Sequence, residues 1–312
     1  MSQTPFFSIV IPAYNRAAII GNAIRSCLDQ TFRDFEIVVV DDGSDDPAAL
    51  EAALQPFDQA PIRLIRQINA GAAAARNTGI DHASGRYVAF LDTDDEFLPS
   101  KLETFAAHIG SREKYAGFAP ALVDRGMASR IVRPRELHQS ANSLGEYFYC
   151  RNQMVQSSML VVDRQTARNV RFSTDMRVGE DLDFCLAIEA AGVRWEMLAD
   201  PQSIWFDAPR DGRSSDYRGS LSEEYQSYRT WRLLSPKARK AYEGTVGAFH
   251  TAPHKPLRAA KMLAVGVVKG GVPPKVAARQ FLRCYLPRKL YHTLVASAFR
   301  NKALGRFQSV DR

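Results

Sequence analysis

Residues Tyr87-Val88-Ala89-Phe90-Leu91-Asp92-Thr93-Asp94-Asp95 run from an apolar strand pattern straight into three carboxylates within four positions. Like charges that close disfavour one another unless water or a cation separates them. Hard divalent ions such as Mg2+ and Mn2+ take oxygen ligands, and Mg2+ is commonly held by one or two carboxylates together with substrate phosphates. A nucleotide-diphosphate site is one reading of the cluster. A solvated acidic turn ahead of the helix suggested by Pro99 to Ile109 is the other, since Asp favours turns and helix starts. This segment alone leaves both open.

Working outward, Ser8 to Asn15 and Phe35 to Ser44 repeat the design of a short β-branched run that ends in polar turn residues. Such runs read as buried parallel strands. Between them Ile19, Ile20, Ala23, Ile24, Cys27 and Leu28 recur at the spacing that gives a helix one apolar face. Pro61 to Arg66 suggests a third strand, Ala72 to Ala83 a second helix, Tyr87 to Leu91 a fourth strand and Val193 to Leu198 a later one. The alternation predicts an α/β fold, a Rossmann-like doubly wound and mostly parallel sheet, whose ligands bind at the carboxyl ends of the strands. Tyr14, Asp41, Asp42, Asp92, Asp94 and Asp95 all fall at such ends.

The 312 residues, 46% of them hydrophobic, are long enough for one main domain with additions. The expected organisation is a nucleotide-sugar-binding half at 1–110, an acceptor-binding and catalytic half at 111–220, and a helical, basic extension at 221–312. The four cysteines stand more than thirty positions apart, with no metal-binding spacing, which fits reduced thiols in the cytosol. A strand pattern begins by Phe7 without a basic leader, and the apolar run Met262 to Val268 is too short to span a bilayer. Charge is uneven: from residue 251 onward thirteen Lys and Arg face a single acid, Asp311. Interleaved with Leu257, Met262, Leu263, Val267, Val268, Phe281, Leu282, Tyr285, Leu286, Leu290 and Tyr291, these bases suit an anionic membrane surface, so a peripheral place on the inner face of the cell membrane is expected. A solvated helical face packed on the body is the plainer reading. Nucleic acid is not the expected partner, because no helix-turn-helix, zinc-finger or RNA-recognition signature accompanies the bases.

Four blocks in order, Ile11-Pro12-Ala13-Tyr14-Asn15, Val40-Asp41-Asp42-Gly43-Ser44, Asn69-Ala70-Gly71 with Ala75-Arg76-Asn77-Thr78-Gly79, and Leu91-Asp92-Thr93-Asp94-Asp95, resemble family 2 glycosyltransferases of the A-type fold. A fifth, Gly179-Glu180-Asp181, stands where that family carries its catalytic acidic pair. The resemblance covers about residues 6 to 215. It implies inverting transfer of a sugar from a UDP-sugar, most commonly UDP-glucose, to an acceptor hydroxyl with Mg2+ or Mn2+. Pro12, Tyr14 and Asn15 would then line the nucleotide site, the Tyr14 ring stacking on the base. Asp42 would accept from the imide of uracil while Asp41 caps the turn at Gly43 and Ser44. Gly71 would let backbone approach the nucleotide, and Arg76 would offer its planar fork to base or phosphate oxygens. Asp94 would bind the metal, with Asp92 on the ribose or a metal-bound water. Asp181 matches the base position, with Glu180 beside it. Glu180, Asp181 and Asp183 would equally form the acidic first turn of a helix running to Ala190, whose dipole should keep the base ionised. Arg210 and Arg213 are the candidates for a segment that closes over the diphosphate.

Residues 110–175 and 216–250 are left to build the acceptor cleft. The implied acceptor is a saccharide, specifically a lipid-linked oligosaccharide used in bacterial exopolysaccharide assembly, where similar family members work. Two rival classes are a metal-dependent nucleotidyltransferase and a non-catalytic nucleotide-sugar-binding protein. The first should carry a Gly-rich phosphate loop with a basic residue, and none precedes Asp41. The second is disfavoured because both acidic clusters are intact.

Overall fold

The structure, a computed structural model, describes residues 4–126, 129–176, 178–207, 228–287 and 290–291. It divides into two compact units. The first begins with β1 (Phe7–Ala13), α1 (Ile20–Leu28), β2 (Phe35–Asp41), α2 (Pro47–Leu54), β3 (Ile62–Arg66), α3 (Ala72–His82) and β4 (Tyr87–Phe90). It continues through β5 (Glu96–Phe97), α4 (Lys101–Ile109), β6 (Ala116–Phe118), β7 (Ala121–Asp124), β8 (Ile131–Arg133), β9 (Leu160–Asp163) and α5 (Arg164–Val170). α6 (Glu180–Ala190), β10 (Trp195–Met197), β11 (Ser203–Phe206) and α7 (Tyr228–Leu233) complete it.

Among the described residues the strands form a seven-stranded sheet, β10-β6-β9-β4-β1-β2-β3, and a four-stranded sheet, β5-β11-β7-β8. The expected α/β, mostly parallel architecture is present: β1 pairs in parallel with both β2 and β4, and β2 with β3. Strand order reverses at β1, so the β1–β4 boundary is the switch point at which ligands of such sheets bind. Both faces of β1 are buried, which is why its sequence is a nearly continuous apolar run, interrupted by Ser8. Phe7, Ile9 and Ile11 pack with Ile20, Ile24 and Cys27 of α1, Leu50 of α2 and Leu102 and Phe105 of α4, whereas Val10 faces α3 on the other side.

Two features escape sequence reading. β9 runs antiparallel to both of its neighbours, β4 and β6. Its Leu-Val-Val pattern is that of any buried strand, and direction is set by the chain's route. The second sheet is built from strands of two to four residues, too short for an alternation to register.

Pro12 shows how β1 opens the site. Val10 accepts from Leu91 N–H on the β4 side (3.0 Å), and Ala13 accepts from Asp42 N–H on the β2 side (2.8 Å). Pro12, two residues after Val10, therefore turns its missing N–H toward β4, whose pairing with β1 has ended at Phe90. The lost donor costs no ladder bond there, and the two strands part to leave a crevice.

The described part of the second unit comprises Tyr149–Asn152 and the chain from Leu234 onward. Its helices are α8 (Pro236–Tyr242), α9 (Ala248–Thr251), α10 (Pro256–Gly270) and α11 (Pro274–Tyr285). Small residues bring α10 against its neighbours: a Cβ on Gly244 would lie 2.6 Å from Cα of Gly266.

The seating of α3 on β1 yields a test. A Cβ on Gly79 would lie 2.2 Å from Cγ1 of Val10, a branched side chain with little freedom in a strand. Ala gains about 1 kcal/mol of helix propensity over Gly, and overpacking costs about 1–3 kcal/mol. Gly79→Ala is expected to lower unfolding free energy in urea, with Gly79→Ala/Val10→Ala losing less than the sum of the single changes. Equal stability of Gly79→Ala and the parent chain would refute the close approach.

Candidate active site

The donor side of the crevice is built by the ends of β1 and β2. Asn15 adopts a left-handed backbone (φ 54°) and ties itself to the turn after β2: its N–H donates to Ser44 Oγ (2.9 Å) and its Nδ2 to Asp45 Oδ2 (2.8 Å), while Asp45 N–H donates to Asn15 Oδ1 (2.9 Å). This clasp leaves the Tyr14 ring 44% exposed at the crevice rather than in the core. Asp41 accepts from Ser44 N–H (3.0 Å), the turn cap expected of it.

Asp42 is buried, and its carboxylate is already engaged. It accepts from Gln67 Nε2 (2.7 Å), Ala70 N–H (2.9 Å) and Gly71 N–H (2.8 Å), which pins the loop leading into α3. A carboxylate has about four acceptor sites, so about one remains for a base imide. Gly71 stands at φ 91° with open space where a Cβ would project. That is the backbone freedom expected at this position.

The acidic side is organised by Arg76. The residue lies on α3, buried, and it does not present its fork to solvent. Nη2 donates to Asp92 Oδ1 (2.8 Å), Nη1 donates to Glu180 Oε1 (3.0 Å), and Nη1 lies 3.8 Å from Asp181 Oδ1. Its guanidinium carbon sits 5.4 Å from the centre of the Phe172 ring. Asn77 fixes that ring by exchanging two hydrogen bonds of 2.9 Å with the Phe172 backbone, and Phe172 stacks on Phe184 of α6 at 4.0 Å. Two adjacent residues of one motif thus hold α6 against α3. Arg76 is thus the hub of an ion-pair cluster that joins α3, the end of β4 and the start of α6.

The three aspartates after β4 have separate tasks. Asp92 donates its N–H to Ser158 Oγ (3.0 Å) and takes Arg76 on its carboxylate. Asp94 is partly exposed. Asp95 is buried and accepts from Gln156 Nε2 (2.7 Å), Ser158 Oγ (2.7 Å) and Phe206 N–H (3.2 Å). Burial, followed by the charges of Asp92 and Asp94, holds the Asp95 carboxyl well above the usual carboxylate range.

Glu180, Asp181 and Asp183 do open α6, after Gly179 at φ 86°. Asp183 points inward and accepts from Thr230 Oγ1 (2.5 Å), so it ties α7 to α6. Asp181 accepts from the Ser157 hydroxyl. Its carboxyl is pushed up to about 7, chiefly by burial and then by Glu180, against the opposing pull of Arg76 and Ser157. The helix dipole was expected to keep this group ionised. Its contribution is about 0.3–1 kcal/mol at a helix end, whereas each pKa unit corresponds to about 1.4 kcal/mol, so burial beside a second carboxylate wins.

Sequence reading missed the turn at Gln156 to Met159, which touches Asp92, Asp95 and Asp181 at once, and the residue beneath it. Lys101 is fully buried, donates to the Ser158 carbonyl and lies 3.9 Å from the Phe97 ring centre, with its amine depressed to about 7 by burial. A Gln-Ser-Ser run ahead of a strand carries no chemical motif that would have flagged it. Asp207 accepts from Arg125 Nε (2.9 Å). Tyr147, Phe148 and Tyr149 are buried. Arg210 and Arg213 lie outside the described residues.

Among the described residues no group of three or more His, Cys, Asp or Glu is arranged to hold a metal. The donor set fits a hard divalent ion in type, because Asp92 and Asp94 carry carboxylate oxygens, and one or two such ligands leave the remaining positions to phosphate and water. Asp92, Glu180 and Asp181 also outnumber Arg76, an imbalance that a cation relieves.

Comparisons with known proteins agree with this geometry. The family described as "Glycosyl transferase family 2" matches residues 8–171. The amylovoran biosynthesis glycosyltransferase AmsB of Erwinia amylovora is 28% identical over 221 residues, which cover 68% of this chain and 73% of that protein. Among solved structures, S. aureus TarS 1-349 in complex with UDP-GlcNAc superposes with a TM-score of 0.63 at 18% identity, covering 89% of each chain. The mannosyltransferase PcManGT from Pyrobaculum calidifontis, in complex with GDP-Man and Mn2+, gives 0.58 at 19% identity, covering 100% of this chain and 89% of that one. These two share the fold. With the family match covering more than half of its length, from β1 to the end of α5, the chain belongs to glycosyl transferase family 2.

Proposed function

We propose that the protein transfers a sugar from a UDP-sugar, with UDP-glucose the leading donor, to a hydroxyl of a saccharide acceptor with inversion at the anomeric carbon. The observation that carries this reading is the buried cluster in which Arg76 joins Asp92, at the end of β4, to Glu180 and Asp181 at the start of α6. A nucleotide-diphosphate sugar as donor is supported by the fold shared with TarS, solved with UDP-GlcNAc, and with PcManGT, solved with GDP-Man, and uridine as its base by the first of these. A role in polysaccharide assembly is supported by the similarity to AmsB, an amylovoran biosynthesis glycosyltransferase, and the proposal extends it to a lipid-linked acceptor at the inner face of the membrane.

Tyr14 stacks on the base, and the free acceptor site of Asp42 takes its imide N–H, while Pro12 and Asn15 shape the wall around them. Gly71 lets the 67–71 loop lie close to the nucleotide. Asp94, with Asp92, would hold Mg2+ or Mn2+, which supplies charge neutralisation for the departing diphosphate. Inversion in a single displacement needs one base, and Asp181 takes the proton of the attacking hydroxyl. A base poised near neutrality suits that task, because it is ionised at working pH yet retains driving force for the proton. Ser157 fixes the orientation of its carboxylate. Glu180, held by Arg76, keeps the basicity of Asp181 up.

Release of free sugar from UDP-glucose in the presence of Mn2+, with and without added acceptor, tests this reading. Asp181→Asn should lower kcat by about 10²–10⁴-fold with UDP affinity by calorimetry unchanged. Asp94→Asn should abolish the dependence on added cation. Retention of full turnover and of cation dependence in both variants would overturn the assignment.

The pH profile gives a second test. Since ionised Asp181 is the active form, kcat/KM should rise about tenfold per unit below pH about 7 and level off above it. The Ser157 hydrogen bond favours the ionised form, so Ser157→Ala should move the limb to higher pH. Glu180 opposes ionisation, so Glu180→Gln should move it to lower pH. A limb that stays in place in both variants would rule out Asp181 as the titrating group.

A further inference from the structure

The second unit carries a feature that sugar transfer does not use. Along α10, Ala259, Leu263, Gly266 and Gly270 are buried, at the spacing of one helical stripe. Leu257, Lys261, Ala264 and Val268 keep the same spacing two residues out of phase, roughly 200° round the helix, and all four are exposed. Surface helices normally turn polar side chains outward. Here Leu257 is 87% and Val268 81% exposed, and they stand about 16 Å apart along the axis. Arg258 and Lys269 flank them, and both are exposed.

The charge around this stripe is of one sign. Between Glu243 and Asp311 the sequence holds no Asp or Glu. Among the described residues Arg258, Lys261 and Lys269 form no ion pair with a carboxylate, in contrast to Lys240, which pairs with Glu243 at 2.8 Å. No helix among the described residues is long and apolar enough to cross a membrane. Two large apolar side chains turned outward at either end of one helical stripe and set among unpaired bases, on a helix too short to span, have the features of an element that lies in the plane of an anionic bilayer.

We infer that the outer face of α10 is a docking surface for anionic lipid, with Leu257 and Val268 entering the acyl boundary and Arg258, Lys261 and Lys269 meeting headgroup phosphates. The inference deepens the membrane-surface part of the proposed function by naming the surface that would deliver the enzyme to a membrane-held acceptor. It rests on that reading only for its purpose, since lipid binding requires no catalysis.

The test is co-sedimentation of the full-length protein with vesicles of phosphatidylcholine alone and of phosphatidylcholine containing about 30 mol % phosphatidylglycerol. The parent chain should partition onto the anionic vesicles and only weakly onto the neutral ones, and should be released by high salt. Leu257→Ser/Val268→Ser should weaken partition by at least about tenfold, and Lys261→Gln alone by about fivefold. All three positions are exposed, so thermal unfolding and UDP-sugar hydrolysis without vesicles should be unchanged. Binding that survives Leu257→Ser/Val268→Ser would place the membrane contact elsewhere and overturn the inference. So would absence of binding to anionic vesicles by the parent chain. A parent chain that elutes as a dimer, ignores vesicles and becomes monomeric in the double variant would assign the stripe to a second copy instead. Vesicle binding without sugar hydrolysis would sink the transferase reading and leave this surface standing; the reverse result would do the opposite.

Discussion

The Arg76 guanidinium is the constraint on which the site depends. It faces carboxylates at Asp92, 16 positions away, and at Glu180 and Asp181, with Glu180 104 positions away. An unpaired charge in such a place costs several kcal/mol, so neither α3, the end of β4 nor the start of α6 can settle independently of the other two. The glycine at position 79 lets α3 lie against β1, Asn77 clasps the backbone of Phe172, and Phe172 stacks on α6. Packing places the cation; the cation then fixes the acids.

Beneath this hub a second buried polar network supports the loop after β4. Asp95, Gln156 and Ser158 are hydrogen-bonded to one another, and Lys101 donates to the Ser158 carbonyl. Buried polar groups are tolerable only when satisfied, and a satisfied network is rigid. The rigidity matters because the turn at Gln156 to Met159 also carries Ser157, whose hydroxyl is on Asp181. One short turn therefore sets the loop that ends in the candidate metal ligands and the carboxylate proposed as base. Asp95 and Asp183, beside the candidate metal ligands and the candidate base in the sequence, are spent on holding the structure together.

Charge is segregated between the two units. The first gathers acids around one arginine at the sheet's switch point, while the second carries bases with no acid between Glu243 and Asp311. The site is acidic, whereas the outward face of α10 is basic.

The sequence by itself determined the strand–helix alternation, the buried central strands, the polar clusters at their carboxyl ends and the acidic first turn of α6. Each of these is written in local periodicity and in residues a few positions apart. The motif blocks likewise named the family. Only the tertiary structure decided that β9 runs antiparallel, that short strands make a second sheet, and that the Asp42 carboxylate is largely consumed by its own loop. It also brought Arg76 against carboxylates from two distant segments of the chain. It raised Asp181 toward neutrality through burial beside Glu180, where the helix dipole alone would have kept it acidic. The physical reason is range: hydrophobic period and turn chemistry act between neighbours, whereas burial and Coulomb pairing act between groups that the fold alone brings within a few ångströms.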